Sequence, residues 1–582
     1  MLQVLAECWE KEEVPQDWMV FHMTVLFKKG ARSDVGNYRG MSMAETLSKL
    51  YTSTLKKRLE GYYEAIAPEY CNGFRRGRGR IDSIFMLKET LRKRKAKGLD
   101  SYCIFYDFIK CFDKISRECM WKSMAVMGVD AKMIRAVKST LENTECKMNV
   151  GGVEKTVKMK EGSGQGTTLG PTLCNFFFLP LLLQFEKKMS TVRTTATKMM
   201  EGEDDGEFST FTHNFADDTC MLVGSHEDAT VVAREFNLYT KLFRSRVHVA
   251  SEANPVSKSV AVYIPAKSGG GQQHTRMWVN AEETEWINYV HRSAHLGAYV
   301  TTDLKDEEEI RGRIQKALGM YGCLRKHLLA SKDVWYTVKK KVLTGMILPI
   351  MLDGAESWVV SATAMKELRA AYNRIVRGCC RVSLYTTRKH RITSASLQAR
   401  LGVGTLEHYL DWRMLGCAGH VMRMADGRLP KLIMQGRIDG NGRVGAPPKT
   451  HSKQLIECLR RKSIDECNWT SLTSDKTKWR LLVKKIVLIK RTSNTSARNK
   501  EKWMLMPERA VGRHVEQKFK SKFYVGVVSS WDLDKDTNEL IWRVSFDDGD
   551  EGDYNARELQ KIMCAAEDAE LYENGTVAAC GK

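Results

Sequence analysis

Two short carboxylate-bearing stretches constrain this chain more than any other feature of its sequence. The first, YCIFYDFIKCFDKI from Tyr102 to Ile115, is an apolar β-run that ends at Asp107 and leads into a segment carrying Phe112 and Asp113. The second, FTHNFADDTCMLV from Phe211 to Val223, flanks Asp217 and Asp218 with apolar residues, so that a hairpin would present both carboxylates at its tip. Adjacent carboxylates repel one another, and a divalent cation relieves the repulsion. If the two β-units lie side by side, Asp107 and Asp217 would hold two Mg2+ ions about 4 Å apart, the spacing that suits phosphoryl transfer. Each stretch alone has an ordinary reading, because Asp-Asp pairs are common in turns and an Asp after a strand often caps a helix.

At 582 residues the chain exceeds what one hydrophobic core supports, so several domains are expected. From residue 1 to about 305, short β-runs alternate with helical stretches, the pattern of an α+β domain. Within it, Thr191 to Ser209 reads as a polar surface loop and Ala266 to His274 as a flexible turn. From 306 to 430 the apolar spacing becomes helical, with Ile310, Ile314, Leu318 and Tyr321 three and four apart. Residues 431–510 read as a basic linker, 511–563 as a small β-barrel and 564–582 as a tail. A net charge of +22 favours a polyanionic partner. The 16 cysteines are scattered without a C-x-x-C pair, as expected of reduced thiols rather than a zinc site. The most apolar run, Leu173 to Phe185, is too short to cross a bilayer and contains Pro180, so a buried helix and no membrane partner are expected. Met1 leads directly into an apolar helical pattern, as a fragment would begin.

These residues resemble the reverse transcriptases of non-LTR (LINE-type) retrotransposons. FADD at Phe215 to Asp218 is similar to the family's metal-binding box, and YDFIKCFD at Tyr106 to Asp113 to its first aspartate box. VPQDWMVFHMTVLFKKG, NYRGMSM, NGFRRGRGRID, EGSGQGTTLGPTLCN, SKSVAVYI, HLGAYVTTD and GHVMRM follow the family's order over most of residues 10 to 480. The resemblance implies a right-hand polymerase with fingers and palm, followed by a helical thumb-like region. It implies that Asp107, Asp217 and Asp218 hold the metal and catalyse, and that Phe112 packs beneath the incoming sugar and excludes a ribose. It places Gln165 and Gly166 against nucleotide and template, Lys28 and Arg39 against the triphosphate, and Lys258 as proton donor to pyrophosphate. The substrates would be dNTPs, an RNA template and a DNA primer, in a protein that is nuclear, and cytoplasmic when assembled with RNA.

The chain departs from the family where Arg-Gln-Gly is Gly164-Gln165-Gly166, where Ser-Pro is Gly170-Pro171, and where Gly79-Arg80 replaces a Ser-Thr pair. These positions keep a competing reading open, a decayed element that binds nucleic acid and chromatin without polymerising. Arg75, Arg76, Arg78 and Arg80, followed by the cluster from Arg92 to Lys97, are expected to meet backbone phosphates, the second cluster with a solvated helix face as its even alternative. Arg374, Arg377, Arg381, Arg388, Lys389 and Arg391 extend that character. The C-terminal β-pattern is similar to plant-type Tudor-like domains. There Trp531, Trp542, Phe546 and Tyr554 would wall an aromatic cage for a histone tail peptide beside Asp547, Asp548 and Asp550, with core packing the expected role of at least half of these aromatics.

Overall fold

The computed structural model describes residues 1–28, 30–164, 166–196, 198–200, 207–266, 274–438, 450–484, 514–519, 522–533, 540–546 and 551–555. The chain forms two compact units. The first comprises 1–309, 354–359 and 414–481, and the second 310–353, 360–413 and 482–582.

Two sheets organise the first unit. The larger has the strand order Ala250–Ser251, Glu285–Tyr289, Val260–Ile264, Ser101–Tyr106, Asp218–Val223, Thr212–Phe215, with Arg276–Trp278 added beside Glu285–Tyr289. Its central strand, SYCIFY, is buried on both faces, as its β-branched and aromatic content requires. Ile104 and Tyr106 meet the main core, whereas Cys103 and Phe105 face a smaller cluster with Leu87, Leu91 and Cys220. The helix Gly170–Lys188 crosses the main core with Pro180 in its middle and Phe176, Phe177 and Phe185 without exposure. That all-round apolarity is what a fully buried helix shows. The smaller sheet has the order Tyr38–Met43, Val20–Phe27, Glu145–Val150, Val153–Lys158, and its last strand is exposed along its whole length. No described helix is long and apolar enough to cross a membrane.

The helix Arg80–Ala96 carries a buried ionic network. Lys88 Nζ lies 2.8 Å from both Asp306 and Glu309, and Arg92 bonds Asp306 at 2.7 Å and the Ser357 carbonyl at 2.7 Å. The Trp358 indole N–H donates to Glu309 at 3.0 Å, and the Val359 N–H to Asp306 at 2.7 Å. These bonds fix 354–359 within the first unit. Lys93 donates to the carbonyls of Ile433 and Gly436, and buried Arg94 to Ser101 and the Asp100 carbonyl. The first three cations of the cluster from Arg92 therefore meet neither of its even alternatives, phosphate surface or solvated face: they satisfy carbonyls, a hydroxyl and a carboxylate of the fold. The expected loop at 191–209 is also corrected over its described residues, 197 and 201–206 lying outside them. Ser190–Ala196 is helical, and Lys198–Met200 pairs with Glu207–Ser209, because Met199 is buried with Met86, Leu429, Ile433 and Ile438. Most of the turn at 266–274 lies outside the described residues.

The second unit is helical over 310–353 and 360–413. Ser361, Ser383 and Thr393 cap helices through their hydroxyls, as their types favour. Its core gathers Leu329, Leu343, Ile347, Leu368, Tyr372 and Ile375, each essentially without exposure. A Cβ at Gly378 would stand 1.6 Å from the Tyr321 hydroxyl oxygen, so only glycine permits this helix to approach that ring. At the C-terminus, His514–Phe519, Lys522–Leu533, Leu540–Phe546 and Glu551–Asn555 form an antiparallel meander in that order. Barrel closure is not among the described strand pairs.

Candidate active site

The register brings the aspartates together. In the antiparallel pairing of the central strand with Asp218–Val223, Tyr106 stands opposite Thr219, so the next residue on each strand is Asp107 and Asp218. Phe215 faces Asp218 across a two-residue turn made of Ala216 and Asp217, with Ala216 at φ +60°. The Asn214 side-chain amide holds this turn by donating to the Ala216 carbonyl at 2.8 Å and to Thr219 Oγ1 at 2.9 Å. Segment 72–73 braces it from outside, with the Asn72 N–H donating to the Asn214 carbonyl at 2.9 Å. A Cβ on Gly73 would lie 2.2 Å from the Ala216 nitrogen, so glycine is obligatory at this contact.

Asp107 is held through its backbone. Its N–H donates to Ser259 Oγ at 3.0 Å, and its carbonyl accepts from the His248 N–H at 2.8 Å. The His248 carbonyl accepts from Ser257 and Ser259, and its Nδ1 accepts from the Lys258 N–H at 3.3 Å. Lys258 Nζ then lies 4.0 Å from Asp107 Oδ2. Desolvation, followed by the Asp107 charge, raises the Asp217 carboxyl above the usual range despite a favourable field from Arg39. Asp218 reaches solvent, yet the protein crowded around it desolvates it and Asp217 and Asp107 repel its charge, pushing it up to about 6. Burial also raises Asp113, against the pull of Lys110, Lys28 and Arg39. Lys28 and Arg39 thus act electrostatically on this carboxylate group from the end of one hairpin, where Phe27 faces Tyr38. Among the described residues no group of three or more His, Cys, Asp or Glu side chains is gathered closely enough to enclose a metal ion.

Phe112 is half-buried against the main core, and its carbonyl accepts from the Ser163 N–H at 2.9 Å. Gly162 closes on it so tightly that a Cβ would stand 2.8 Å from that carbonyl. Gly166, at φ +98°, approaches the Ser42 carbonyl, whereas Gln165 lies outside the described residues. The two departures in this loop answer each other: Gly164 has φ +76°, and a Cβ on Gly170 would be 2.7 Å from the Gly164 carbonyl.

The four fingers arginines divide. Arg75 makes a two-pronged pair with Glu64 at 2.9 and 2.8 Å and donates to the Pro68 and Cys71 carbonyls. Arg78 pairs similarly with Glu69, and Arg80 donates to the Leu296 carbonyl at 3.0 Å. With side-chain exposures of 3% and 6%, Arg75 and Arg78 are structural cations rather than phosphate contacts; Arg76 alone of the four is exposed. At the C-terminus, Trp542 is fully buried and faces half-buried Trp531 across the strands, so Trp542 is core and not a cage wall. The side chains of Phe546 and Tyr554 and the residues Asp547, Asp548 and Asp550 lie outside the described residues. Sequence reasoning missed Ser259, His248, Asn214 and Gly73. Only the Asn-Gly dipeptide at 72–73 carried a legible signal of close approach.

Comparison with known proteins agrees with this geometry. Residues 27–250 match the model of the reverse transcriptase (RNA-dependent DNA polymerase) family, and 512–563 that of the PTM/DIR17-like Tudor domain. The chain is 25% identical over 175 residues to the retrovirus-related Pol polyprotein of type-1 retrotransposable element R2 from Popillia japonica, covering 30% of this chain and 24% of that protein. It is 20% identical over 390 residues to a putative 115 kDa protein in type-1 retrotransposable element R1DM of Drosophila melanogaster, covering 66% of this chain and 35% of that protein. The chain thus spans about a quarter to a third of the length of these two relatives. Apo telomerase from Candida tropicalis is similar at 12% identity and a TM-score of 0.36, with 75% of this chain and 74% of that one covered. This chain carries a reverse transcriptase domain over residues 27–250 and a PTM/DIR17-like Tudor domain over residues 512–563.

Proposed function

We propose that this chain is the RNA-directed DNA polymerase of a non-LTR retrotransposon, extending a DNA primer with dNTPs on an RNA template. The observation that carries the reading is the placement of Asp107 beside the Asp217-Asp218 turn within the matched domain. The donor set suits divalent cations in kind: strand register sets three carboxylates side by side at the end of the paired strands, and desolvation followed by mutual repulsion raises two of them, an imbalance that a divalent charge would relieve. Asp107 and Asp217 would be the principal ligands of Mg2+, with Asp218 beside them; the bound ions would activate the primer 3′-hydroxyl and stabilise the departing pyrophosphate. Lys28 and Arg39 supply fixed positive charge where a triphosphate would enter. Lys258, whose backbone N–H bonds His248 and whose Nζ lies 4.0 Å from Asp107, would hand a proton to the leaving group. Phe112, fixed by the Ser163 contact, would stand against the sugar and disfavour a 2′-hydroxyl. Arg76 and the cationic second unit would follow the nucleic-acid backbone.

In this reading the Tudor domain tethers the polymerase to chromatin through a histone tail peptide, and the protein works in the nucleus. Trp531 remains a candidate cage wall. The deciding experiment is primer extension on an RNA template by the purified chain and its Asp217→Asn variant. The parent should extend, and the variant should lose about a thousandfold or more of that activity while keeping its fold and RNA affinity. Extension by the variant within a few-fold of the parent would remove Asp217 from the metal site. A parent that binds RNA and histone peptide yet never extends would instead establish the binding-only reading.

A further inference from the structure

Phe74 follows the glycine that touches the aspartate turn, and its backbone stands at φ +55°. A bulky aromatic avoids that region, and persists there only when its surroundings impose it. Here they do. The Asn72 N–H is bonded to the Asn214 carbonyl at 2.9 Å, the Gly73 carbonyl accepts from the Asn175 amide at 2.8 Å, and Arg75 is locked to Glu64 and to two carbonyls. Strain of this kind is ordinarily offset by burying the ring. The Phe74 ring is instead 46% exposed, with Phe112 edge-on at 6.5 Å and Phe215 tilted at 6.4 Å. Three phenyl rings thus stand beside the turn that carries Asp217, and the most exposed of them has the most constrained backbone.

From this geometry we infer that Phe74 is a substrate-contacting residue whose exposed face receives the flat base or sugar of a nucleotide at the aspartate site. The inference rests on the polymerase reading. An uncharged ring offers nothing to a phosphate, whereas stacking on an aromatic face is available to every base. Two nucleotides share that chemistry, the incoming dNTP and the terminal nucleotide of the primer, and they are separable by measurement.

The test uses the full chain with Phe74→Ala, Phe74→Tyr and Phe74→Gly, beside Asp217→Asn. Equilibrium affinities for a fluorescent dNTP and for an RNA–DNA primer–template are measured with steady-state extension and thermal melting. Phe74→Ala should weaken one affinity about tenfold with the other within twofold, which says which nucleotide is stacked. Phe74→Tyr should stay near the parent. Phe74→Gly should lose as much affinity as Phe74→Ala yet melt no lower than the parent, because glycine relieves the backbone strain. That opposition is what a packing role would not produce. Both affinities of Phe74→Ala within twofold of the parent would overturn the inference, as would losses matched by lowered melting in all three variants. A parent that fails to extend sinks the polymerase reading, while the two affinities still decide Phe74.

Discussion

At the scale of single residues, the same side-chain type does opposite work within a few positions. Arg75 is a structural cation with four bonds, and Arg76 is exposed. Truncating Arg75 leaves two backbone carbonyls and Glu64 without their donor, so Arg75→Ala should destabilise the protein by about 2–4 kcal/mol in denaturant unfolding. Arg76→Ala should leave stability within about 0.5 kcal/mol and lower RNA affinity in a salt-dependent way. Equal losses of stability in the two variants would contradict this division. Gly73 shows the complementary constraint, one imposed by backbone rather than charge: Gly73→Ala must push the Ala216 backbone away and should abolish extension.

At the scale of elements, the central sheet buries two histidines on one face. His213 stands opposite Cys220 on the neighbouring strand, and His295 packs its ring 5.4 Å from Phe105. Burial lowers His213 to about 4, and burial followed by the field of His213 lowers His295 to about 3. Both values lie below the unfolded value of about 6.5, so the fold holds these rings neutral. Their contribution is complete above about pH 6.5 and is lost as pH falls toward 4. At pH 5 each histidine should cost about 2 kcal/mol relative to pH 7.5, and His213→Gln or His295→Gln should flatten the decline in a pH series of denaturation midpoints. An unchanged slope in both variants would assign the acid sensitivity elsewhere. The helix Arg80–Ala96 invites a second test, because Lys88→Met leaves Asp306 and Glu309 buried without their shared cation. It should cost about 3–5 kcal/mol, whereas replacing the network as a whole with apolar residues should recover much of that loss.

At the scale of the whole molecule, charge is distributed unevenly. Residues 310–353 and 360–413 hold nineteen Lys and Arg against five Asp and Glu, a large share of the chain's net +22. Three of those acids are already paired, Asp353 with Arg313, Glu367 with Arg311 and Glu407 with Arg369. Such a surplus favours a polyanion and makes association strongly salt-dependent. Replacing Arg374, Arg377 and Arg388 together by Ala should reduce the slope of log affinity for RNA–DNA duplex against log salt by up to about three, each cation that meets a phosphate contributing roughly 0.9. A slope unchanged within error would take these three residues off the nucleic-acid surface.

The sequence by itself determined the chemistry-bearing elements. An apolar run ending in Asp107 and an apolar run around Asp217-Asp218 specify a strand and a hairpin through local period and turn chemistry, and the order of boxes around them specifies the domain. It also marked the buried helix with Pro180 and the helical character of 310–353 and 360–413, because apolar spacing is a local property, although not that 354–359 and 414–430 belong with the first unit. Tertiary structure alone decided which of several identical side chains is used. Nothing local distinguishes Arg75 from Arg76, or the cluster from Arg92 from a solvated face, since the distinction lies in partners at Glu64, Asp306 and Gly436 that the chain brings near by folding. The pairing of Lys198–Met200 with Glu207–Ser209 escaped for the same reason: Met199 gains its burial from residues up to some 240 positions away. Charge and polarity are written along the chain, but desolvation is not, and desolvation decides whether a cation supports the fold or remains free to meet a substrate.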